Sequence, residues 1–303
     1  MTNLTTSMKD DLYASVTGRI VAALERGAPP WVRPWSQDVD SMPMNAAGRR
    51  PYRGINALLL TLEANSQGYP LNRWLTYRQA SELGGQVRRG ERGTTVVLWR
   101  LRKLSATANT YPDEGEPDLH ERVIPLLRAF TVFNVAQVDG VPAALHAVER
   151  HRWDPDARAE DLLQMSGATI RHGGSRAFYR PGDDEIHLPP PRVFPDAGRY
   201  YATAIHELTH WSSHPSRCNR QLGARFGDDA YAVEELIAEM GSAFLCAHCR
   251  LDGELHHAGY LASWLKVLRT DKRAIFVAAT RAQQAADYIL KLAQPPDREA
   301  IAA

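Results

Sequence analysis

An H-E-x-x-H motif constrains this chain more than any other feature. It occurs as His206, Glu207 and His210 within YYATAIHELTHW, residues 200–211. Residues four apart lie on one face of an α-helix, so the two imidazoles can bind one metal ion with Glu207 beside it. Zinc held in this way keeps an open position for water, and the neighbouring carboxylate can take the proton of that water as it attacks a carbonyl. The alternative interpretation is a core helix that carries two histidines with satisfied hydrogen bonds.

The third ligand decides the class of metal site. A metzincin would have a glycine and a third histidine where this chain has Ser213 and Ser216, so that class is excluded. A glutamate from a second helix is the alternative, and the segment YAVEELIAEMGSAFL, residues 231–245, has Glu235 and Glu239 four apart on one predicted helical face. We predict that Glu235 is the ligand and that Glu239 orients a histidine through its other ring nitrogen.

Two further side chains lie close to this motif in the sequence. Glu234 is one residue further round the same predicted helix, and we expect it to be solvated. His214 is a rival third ligand. Eight residues along an unbroken helix would place it about 12 Å from His206, so it could bind only if the helix breaks before Pro215.

Length and composition indicate a two-domain protein outside the membrane. The chain has 303 residues, of which 44% are hydrophobic and 23% charged. We predict a first domain at residues 1–142, a linker at 143–155 and a second domain at 156–303. The N-terminus has no basic-then-apolar signal pattern and no apolar run approaches 18 residues, so we expect a cytoplasmic protein with no membrane partner.

The three cysteines do not form a disulfide framework, which agrees with a reducing compartment. Cys246 and Cys249 form the sequence C-A-H-C, but a second cysteine pair is missing. Buried structural thiols are therefore favoured over a second zinc site.

The near-neutral total charge of +1 conceals a basic segment. Residues 49–104 contain eleven Lys or Arg and three acidic residues, a local net charge of +8. A positive charge concentrated in one segment is expected in a protein that binds the phosphate backbone of a nucleic acid. Aromatic side chains interleaved with the arginines can stack on unpaired bases. The residues predicted to contact single-stranded DNA are Trp31, Trp35, Arg49, Arg50, Arg53, Trp74, Tyr77, Arg78, Arg88, Arg89 and Arg92. For each tryptophan, burial in the core is the competing interpretation.

Periodicity and turn signals predict an α+β fold. A capping box at Ser7 and Asp10 would begin a first helix over residues 9–26, and a second helix is predicted at 54–68. Thr76 and Gln79 form another capping box, before a glycine-rich loop and a strand at 94–104. Further strand material is predicted at 123–138 and at 178–191, with helices at 155–165, 261–270 and 272–292.

Long runs of this sequence resemble the ArdC-type antirestriction proteins of plasmids and other mobile elements. The N-terminal half shares PWVRPW, YRGINALLL, WLTYRQASELGGQVRRGERGTTVV and FTVFNVAQVDG. The C-terminal half shares FYRPGDDEIHLPP, AIHELTHWSSHPSRCNR, YAVEELIAEMGSAFL and YLASWLKVLRTDKRAIFVAATRAQQAADYIL. One departure is Cys218, where an aliphatic residue is more usual in the family.

The resemblance implies an N-terminal single-stranded-DNA-binding domain and a C-terminal zincin-like metallopeptidase domain of the gluzincin type. It implies one Zn²⁺ or another divalent metal per chain, with His206, His210 and Glu235 as ligands and Glu207 as the base. Side chains that could steady the oxyanion are Tyr231, His214 and Arg217. The expected role is to shield incoming DNA from host restriction, with restriction enzymes or another protein as potential substrates. The alternatives are a protease that acts on DNA-bound proteins and a DNA-binding protein whose metal site is structural or silent.

Overall fold

The protein contains both helices and strands, and its described strands form three sheets, which confirms the predicted α+β class. The computed structural model describes residues 2–27, 42–104, 122–146, 155–220, 229–251 and 260–293. Trp31 and Trp35, predicted to contact DNA, lie outside these residues. No helix of the described residues is both long and apolar enough to cross a membrane.

Eight α-helices occur in the described part of the chain. They are α1 (Thr2–Glu25), α2 (Ile55–Gln67), α3 (Tyr77–Glu82), α4 (Pro155–Ser166), α5 (Ala197–Trp211), α6 (Asp229–Cys249), α7 (Leu261–Thr270) and α8 (Ala274–Leu292). The strands are β1 (Met44–Asn45), β2 (Arg50–Pro51), β3 (Arg73–Leu75), β4 (Gln86–Val87), β5 (Thr94–Leu104), β6 (Arg122–Asn134), β7 (Val138–Asp139), β8 (Thr169–His172), β9 (Phe178–Arg180) and β10 (Glu185–Leu188).

A long antiparallel pair, β5 and β6, dominates the first sheet, whose order is β2-β1-β3-β6-β5. Thr94 pairs with Val132 at one end of the register and Leu104 with Arg122 at the other. The predicted strand at 94–104 is confirmed, since its β-branched residues suit a pleated surface. A three-stranded sheet of order β8-β10-β9 lies in the C-terminal half, and β4 pairs with β7 separately.

Helix boundaries test the capping predictions. The Thr76 hydroxyl accepts the Gln79 N–H at 3.2 Å, and the Gln79 side chain accepts the Thr76 N–H at 2.9 Å, so this capping box is confirmed. Gly68 ends α2 with a φ of 66°, a conformation that glycine adopts without a Cβ clash. The prediction for Ser7 is wrong, because α1 already begins at Thr2 and Ser7 is inside the helix.

The largest hydrophobic cluster joins helices from both halves of the sequence. The Tyr13 ring of α1 meets the Phe276 ring of α8 edge-on at 4.7 Å, and the Thr17 hydroxyl donates to the Lys272 carbonyl at 2.7 Å. Helix α2 also packs against α8. The first two helices thus share a core with the C-terminal helices, while the division at residues 143–155 stays a prediction.

Helix α6 is the central helix of the C-terminal half. It packs against α4, α5, α7 and α8, and buried residues occur on all of its sides. Three of these buried residues are acidic: Glu234, Glu235 and Glu239. A helix covered on every side offers no solvated face, so each of these carboxylates needs a partner inside the protein.

Candidate metal centre

Helix α5 places the motif residues against the core. Asp196 begins the helix by accepting the Arg199 N–H at 2.8 Å, and the fully buried Ile205 and Leu208 fix the face that packs inward. His206 and His210 follow at a spacing of one turn, with ring centroids 4.9 Å apart. The predicted helix is confirmed, and it brings both imidazoles to one cleft.

Glu235 of α6 reaches both histidines. Its Oε2 lies 3.6 Å from His206 Nε2, and its Oε1 lies 3.6 Å from His210 Nε2. The three ligand atoms of this cluster lie within 4.8 Å of one another. Tetrahedral zinc with bonds of about 2.0–2.1 Å would hold its ligand atoms roughly 3.4 Å apart. The spacing and the nitrogen-and-oxygen donor set therefore fit a divalent metal at this point.

Glu234, predicted to be solvated, is buried instead, and this prediction is wrong. Its Oε1 accepts the Nδ1–H of His210 at 3.3 Å. Its two oxygens also accept from Arg220 at 2.8 and 3.0 Å. Glu234 is buried beside Glu235 because α6 is covered on all sides, so that consecutive residues of this helix can both be buried. The signal available was the segment after Glu234 and Glu235, LIAEMGSAFL, in which apolar residues occur on every side of the helix.

Glu239 lies behind the other histidine. Its Oε1 is 4.0 Å from His206 Nδ1, beyond hydrogen-bond distance. His206 Nδ1 is buried without a hydrogen-bond partner among the described residues. The predicted neighbour of His206 is thus near the ring but not bonded to it, whereas the carboxylate that does hold a histidine is Glu234.

Buried charge at this site also fits a cation. Four buried carboxylates, from Glu207, Glu234, Glu235 and Glu239, surround the two histidines, and Arg220 is the buried guanidinium among them. Burial raises the pKa of Glu207 above the ordinary value for a glutamate. Burial acts in the same direction on Glu235, but the neighbouring imidazoles of His206 and His210 outweigh it and hold the pKa of that carboxyl far below the ordinary value.

Glu207 faces the same cleft as the histidines but stands apart from the ligand cluster. The backbone N–H of Tyr179, in strand β9, favours the charged form of this carboxylate and partly offsets the effect of burial on its pKa. This arrangement suits a carboxylate that exchanges a proton with a molecule in the cleft.

Two tyrosines line the cleft beside Glu235. The hydroxyls of Tyr231 and Tyr260 are 3.4 Å apart, and Tyr231 is also hydrogen-bonded to Glu235. Burial is the largest cause that raises the pKa of both hydroxyls, so each stays protonated and able to donate. The sequence predicted Tyr231 but missed Tyr260, which precedes α7 and has no spacing relationship to the motif.

His214 and Arg217 are not brought to the cleft. His214 Nδ1 contacts the Ser216 hydroxyl at 2.8 Å, and its ring is absent from the cleft lining. Arg217 is bonded to Asp184 through both terminal nitrogens, and its Nε donates to the Trp211 carbonyl at 2.7 Å. Its guanidinium also stacks 3.8 Å from the Trp211 ring centroid. The predicted oxyanion role for these two residues is therefore wrong in this geometry.

Of the aromatic residues predicted to contact DNA, Trp74 is fully buried and Tyr77 is exposed. Trp74 packs in a cluster with Leu60 and Val132, and its indole N–H donates to Asn72 at 2.7 Å. Its predicted contact with DNA is wrong, because the core covers the whole ring. The Tyr77 ring is 54% exposed and meets Phe133 edge-on.

The arginines predicted to contact DNA differ in their partners. Arg53 is paired with Asp287, Arg78 with Glu82, and Arg88 with both Glu91 and Asp139. The exposed arginines without an ion-pair partner among the described residues are Arg50, Arg89 and Arg92. Arg49 is exposed as well and holds a φ of 49° in a turn.

Cys246 and Cys249 are both buried on α6. Burial raises the pKa of Cys246 to about 12 and that of Cys249 to about 11. Both thiols therefore stay protonated, as expected for structural cysteines.

Two family models match the chain in sequence order. Residues 10–133 match the N-terminal domain of the anti-restriction factor ArdC, and residues 157–281 match a zincin-like metallopeptidase. Among curated proteins, uncharacterized protein y4eC of Sinorhizobium fredii is 43% identical over 295 residues, covering 95% of this chain and 94% of that protein. A DNA primase TraC of Escherichia coli is 40% identical over 308 residues, covering 96% of this chain but 28% of the primase.

Two solved structures of the antirestriction protein ArdC from plasmid R388 share this fold. The metal-free structure is 43% identical, covers 93% of this chain and 98% of its own, and superposes with a TM-score of 0.77. The Mn(II)-bound structure is 42% identical, covers 94% and 99%, and gives a TM-score of 0.76. The metal-bound relative and the zincin-like match support a divalent metal in this fold. With both domain models matched and 43% identity over nearly the whole of a solved ArdC, this chain belongs to the ArdC antirestriction family.

Proposed function

We propose that this protein binds single-stranded DNA, protects incoming mobile-element DNA from restriction, and carries a zinc site of metallopeptidase design. The observation that supports the site most strongly is the convergence of His206, His210 and Glu235, with Glu207 in the same cleft. Two side chains of α5 and one of α6 meet there although 25 residues separate Glu235 from His210.

The chemistry follows from the residues around the cleft. When bound, a zinc ion would act as a Lewis acid toward a water and a scissile carbonyl. Glu207, which lines the cleft, takes the proton of the attacking water. Tyr231 and Tyr260 hold protonated hydroxyls in the cleft and can donate to the oxyanion that forms.

The cleft beside the histidines has a volume of about 260 Å³, and its walls include Phe178, Tyr179 and Pro181. A peptide segment of a protein, such as a restriction enzyme, is the proposed substrate of the peptidase-type site.

The surface of the N-terminal half supports the proposal for DNA. Arg50, Arg89 and Arg92 present guanidinium groups without a carboxylate among the described residues, so they are available for phosphates. Tyr77 presents an exposed ring on which a base can stack. Bases are accessible for stacking only when they are unpaired, which favours single strands over duplex.

We propose further that protection comes from covering the DNA, since coating a strand requires no recognition of a protein substrate. Two rival functions share the same architecture: a protease that acts on DNA-bound proteins, and a DNA-binding protein whose metal site is structural. All three place the protein in the cytoplasm, where incoming DNA and restriction enzymes meet.

One pair of variants separates these functions. Glu207→Gln keeps the size of the side chain but cannot act as a base, and Arg89→Ala with Arg92→Ala removes two exposed cations. Restriction escape should survive the first change and fail with the second if the DNA is covered. Loss of escape with Glu207→Gln, in a protein that retains its metal and its DNA affinity, would instead establish proteolysis as the mechanism.

A further inference from the structure

Arg220 is a buried cation bonded to the carboxylate that holds His210, and none of the sequence patterns predicted a role for it. It lies nine residues after the motif helix ends and is 8% exposed. Its side chain donates four hydrogen bonds among the described residues. One goes to Thr209 of α5, one to Ser212 directly after α5, and two to Glu234 of α6. Its backbone N–H is also fixed, by the Ser213 carbonyl at 2.8 Å.

Two of these bonds tie Arg220 to the end of the motif helix. One terminal nitrogen donates to the Thr209 carbonyl at 2.8 Å, and the other donates to the Ser212 hydroxyl at 2.9 Å. Carbonyls in the last turn of a helix have no partner within the helix, so a buried guanidinium there stabilises the helix end. Thr209 is the residue before His210.

The other two bonds hold Glu234. Arg220 donates through Nε to Oε2 at 3.0 Å and through a terminal nitrogen to Oε1 at 2.8 Å, a bidentate pair. Glu234 Oε1 in turn accepts the Nδ1–H of His210 at 3.3 Å. A proton on Nδ1 leaves Nε2, which lies 3.6 Å from Glu235 Oε1, as the ring nitrogen that can bind a metal.

We propose that Arg220 is a positioning residue for the metal centre, acting through Glu234 to fix the orientation and tautomer of His210. This inference depends on the proposed metal site. In the described part of the chain, no carboxylate is hydrogen-bonded to His206 Nδ1, since Glu239 is 4.0 Å away. The two histidines are therefore held unequally, and loss of the Arg220–Glu234 pair removes the carboxylate that is bonded to His210.

The chain provides a matched control in Arg217. Like Arg220, it lies in the segment after α5, its side chain is largely buried, it is bonded to a carboxylate through two nitrogens, and it donates to a carbonyl at the end of α5. Its carboxylate, Asp184, is bonded to the Tyr179 hydroxyl and not to a ligand histidine. Arg217→Met thus removes a comparable ion pair without touching the metal ligands.

The test is a Co²⁺ titration of the metal-depleted, full-length protein, followed through the visible absorption of the bound ion, with thermal unfolding measured on the same samples. The key variant is Arg220→Met with Glu234→Leu, because replacing both members of a buried ion pair by apolar residues is often neutral for stability. We expect this double variant to unfold near the wild-type temperature but to bind Co²⁺ about 10–100-fold more weakly. Glu234→Gln, which keeps an acceptor for His210, should lose less affinity.

Three results would overturn the inference. They are Co²⁺ affinity in the double variant equal to wild type, an equal loss of affinity in Arg217→Met, and an equal loss in Glu234→Gln and Glu234→Leu. A wild-type protein that binds no Co²⁺ would instead overturn the metal centre itself. The two failures are thus distinguished by the wild-type titration alone.

Discussion

His210 and Glu234 are bonded through the ring nitrogen that faces away from Glu235, at 3.3 Å. The consecutive glutamates of α6 therefore contact the two nitrogens of one imidazole, since Glu235 lies 3.6 Å from Nε2. Glu234 orients the His210 ring, and Glu235 is a ligand at the proposed metal position. This division of roles between neighbouring residues is possible because α6 is buried on all sides.

Metal content should depend on the ligand cluster. His206→Ala and Glu235→Ala each remove one of three donors, so elemental analysis of the purified variants should show a sharp loss of the bound divalent ion. Glu239→Gln, which changes a carboxylate 4.0 Å from His206, should retain much more metal. Full occupancy in Glu235→Ala would remove Glu235 from the site.

Chelation should lower the thermal stability of the wild type. An ion that binds the folded chain and not the unfolded chain stabilises the fold by mass action. Removal of the metal with a chelator should lower the unfolding temperature, and added Zn²⁺ or Mn²⁺ should restore it. The same treatment of His206→Ala should change little, and an equal shift in that variant would place the ion elsewhere.

Salt dependence should distinguish Arg89 and Arg92 from the ion-paired Arg88. Arg89→Ala with Arg92→Ala should weaken binding to single-stranded DNA and reduce the slope of log K against log salt by about 1.4, since each lost phosphate contact removes about 0.7. Arg88→Ala is the control, because Arg88 is already bonded to Glu91, Asp139 and the Ala136 carbonyl. An equal change of the salt slope in Arg88→Ala would mean that the ion pairs of Arg88 open when DNA binds.

Substitution of Tyr77 should lower DNA affinity, whereas substitution of Trp74 should lower folding stability. Tyr77→Ala removes an exposed ring and should lower affinity for a single strand by about 1–3 kcal/mol with little loss of stability. Trp74→Ala empties a fully buried site and should cost about 3–5 kcal/mol of folding free energy. Fluorescence anisotropy with a labelled oligonucleotide and urea unfolding measure the two effects. Unchanged DNA affinity in Tyr77→Ala would exclude this ring from the binding surface.

Acid should weaken the contact between Arg217 and Asp184. Hydrogen bonds from Arg217 hold the pKa of Asp184 below its ordinary value. A carboxylate with a depressed pKa in the folded state stabilises the fold above its unfolded pKa of about 3.9, and loses that effect as the pH falls further. The difference in urea midpoint between wild type and Asp184→Asn should therefore be present at pH 7 and shrink by pH 3. Asp183→Asn, in an exposed pair with Arg180, should show a smaller difference at pH 7.

Local sequence patterns predicted the elements that depend on neighbouring residues. The capping box at Thr76, the glycine after α2 and the strand Thr94–Leu104 all follow from short-range backbone chemistry. The spacing of His206 and His210 also needs only the helical repeat, which places residues four apart on one face. These features could be predicted from the sequence because each depends on residues that are close together in the chain.

Only the tertiary structure decided how those elements meet. Glu234 was predicted to be solvated, and Trp74 either to contact DNA or to lie in the core. Both are buried, because burial depends on how other elements pack against α6 and β3. Arg220 reaches Glu234, and Tyr260 reaches the cleft, from segments whose sequence carries no periodic relation to the motif. The sequence by itself therefore determined the ligand types and the helical face that presents two of them. The partners of those ligands were decided by long-range packing, because contacts between distant segments leave no fixed spacing along the chain.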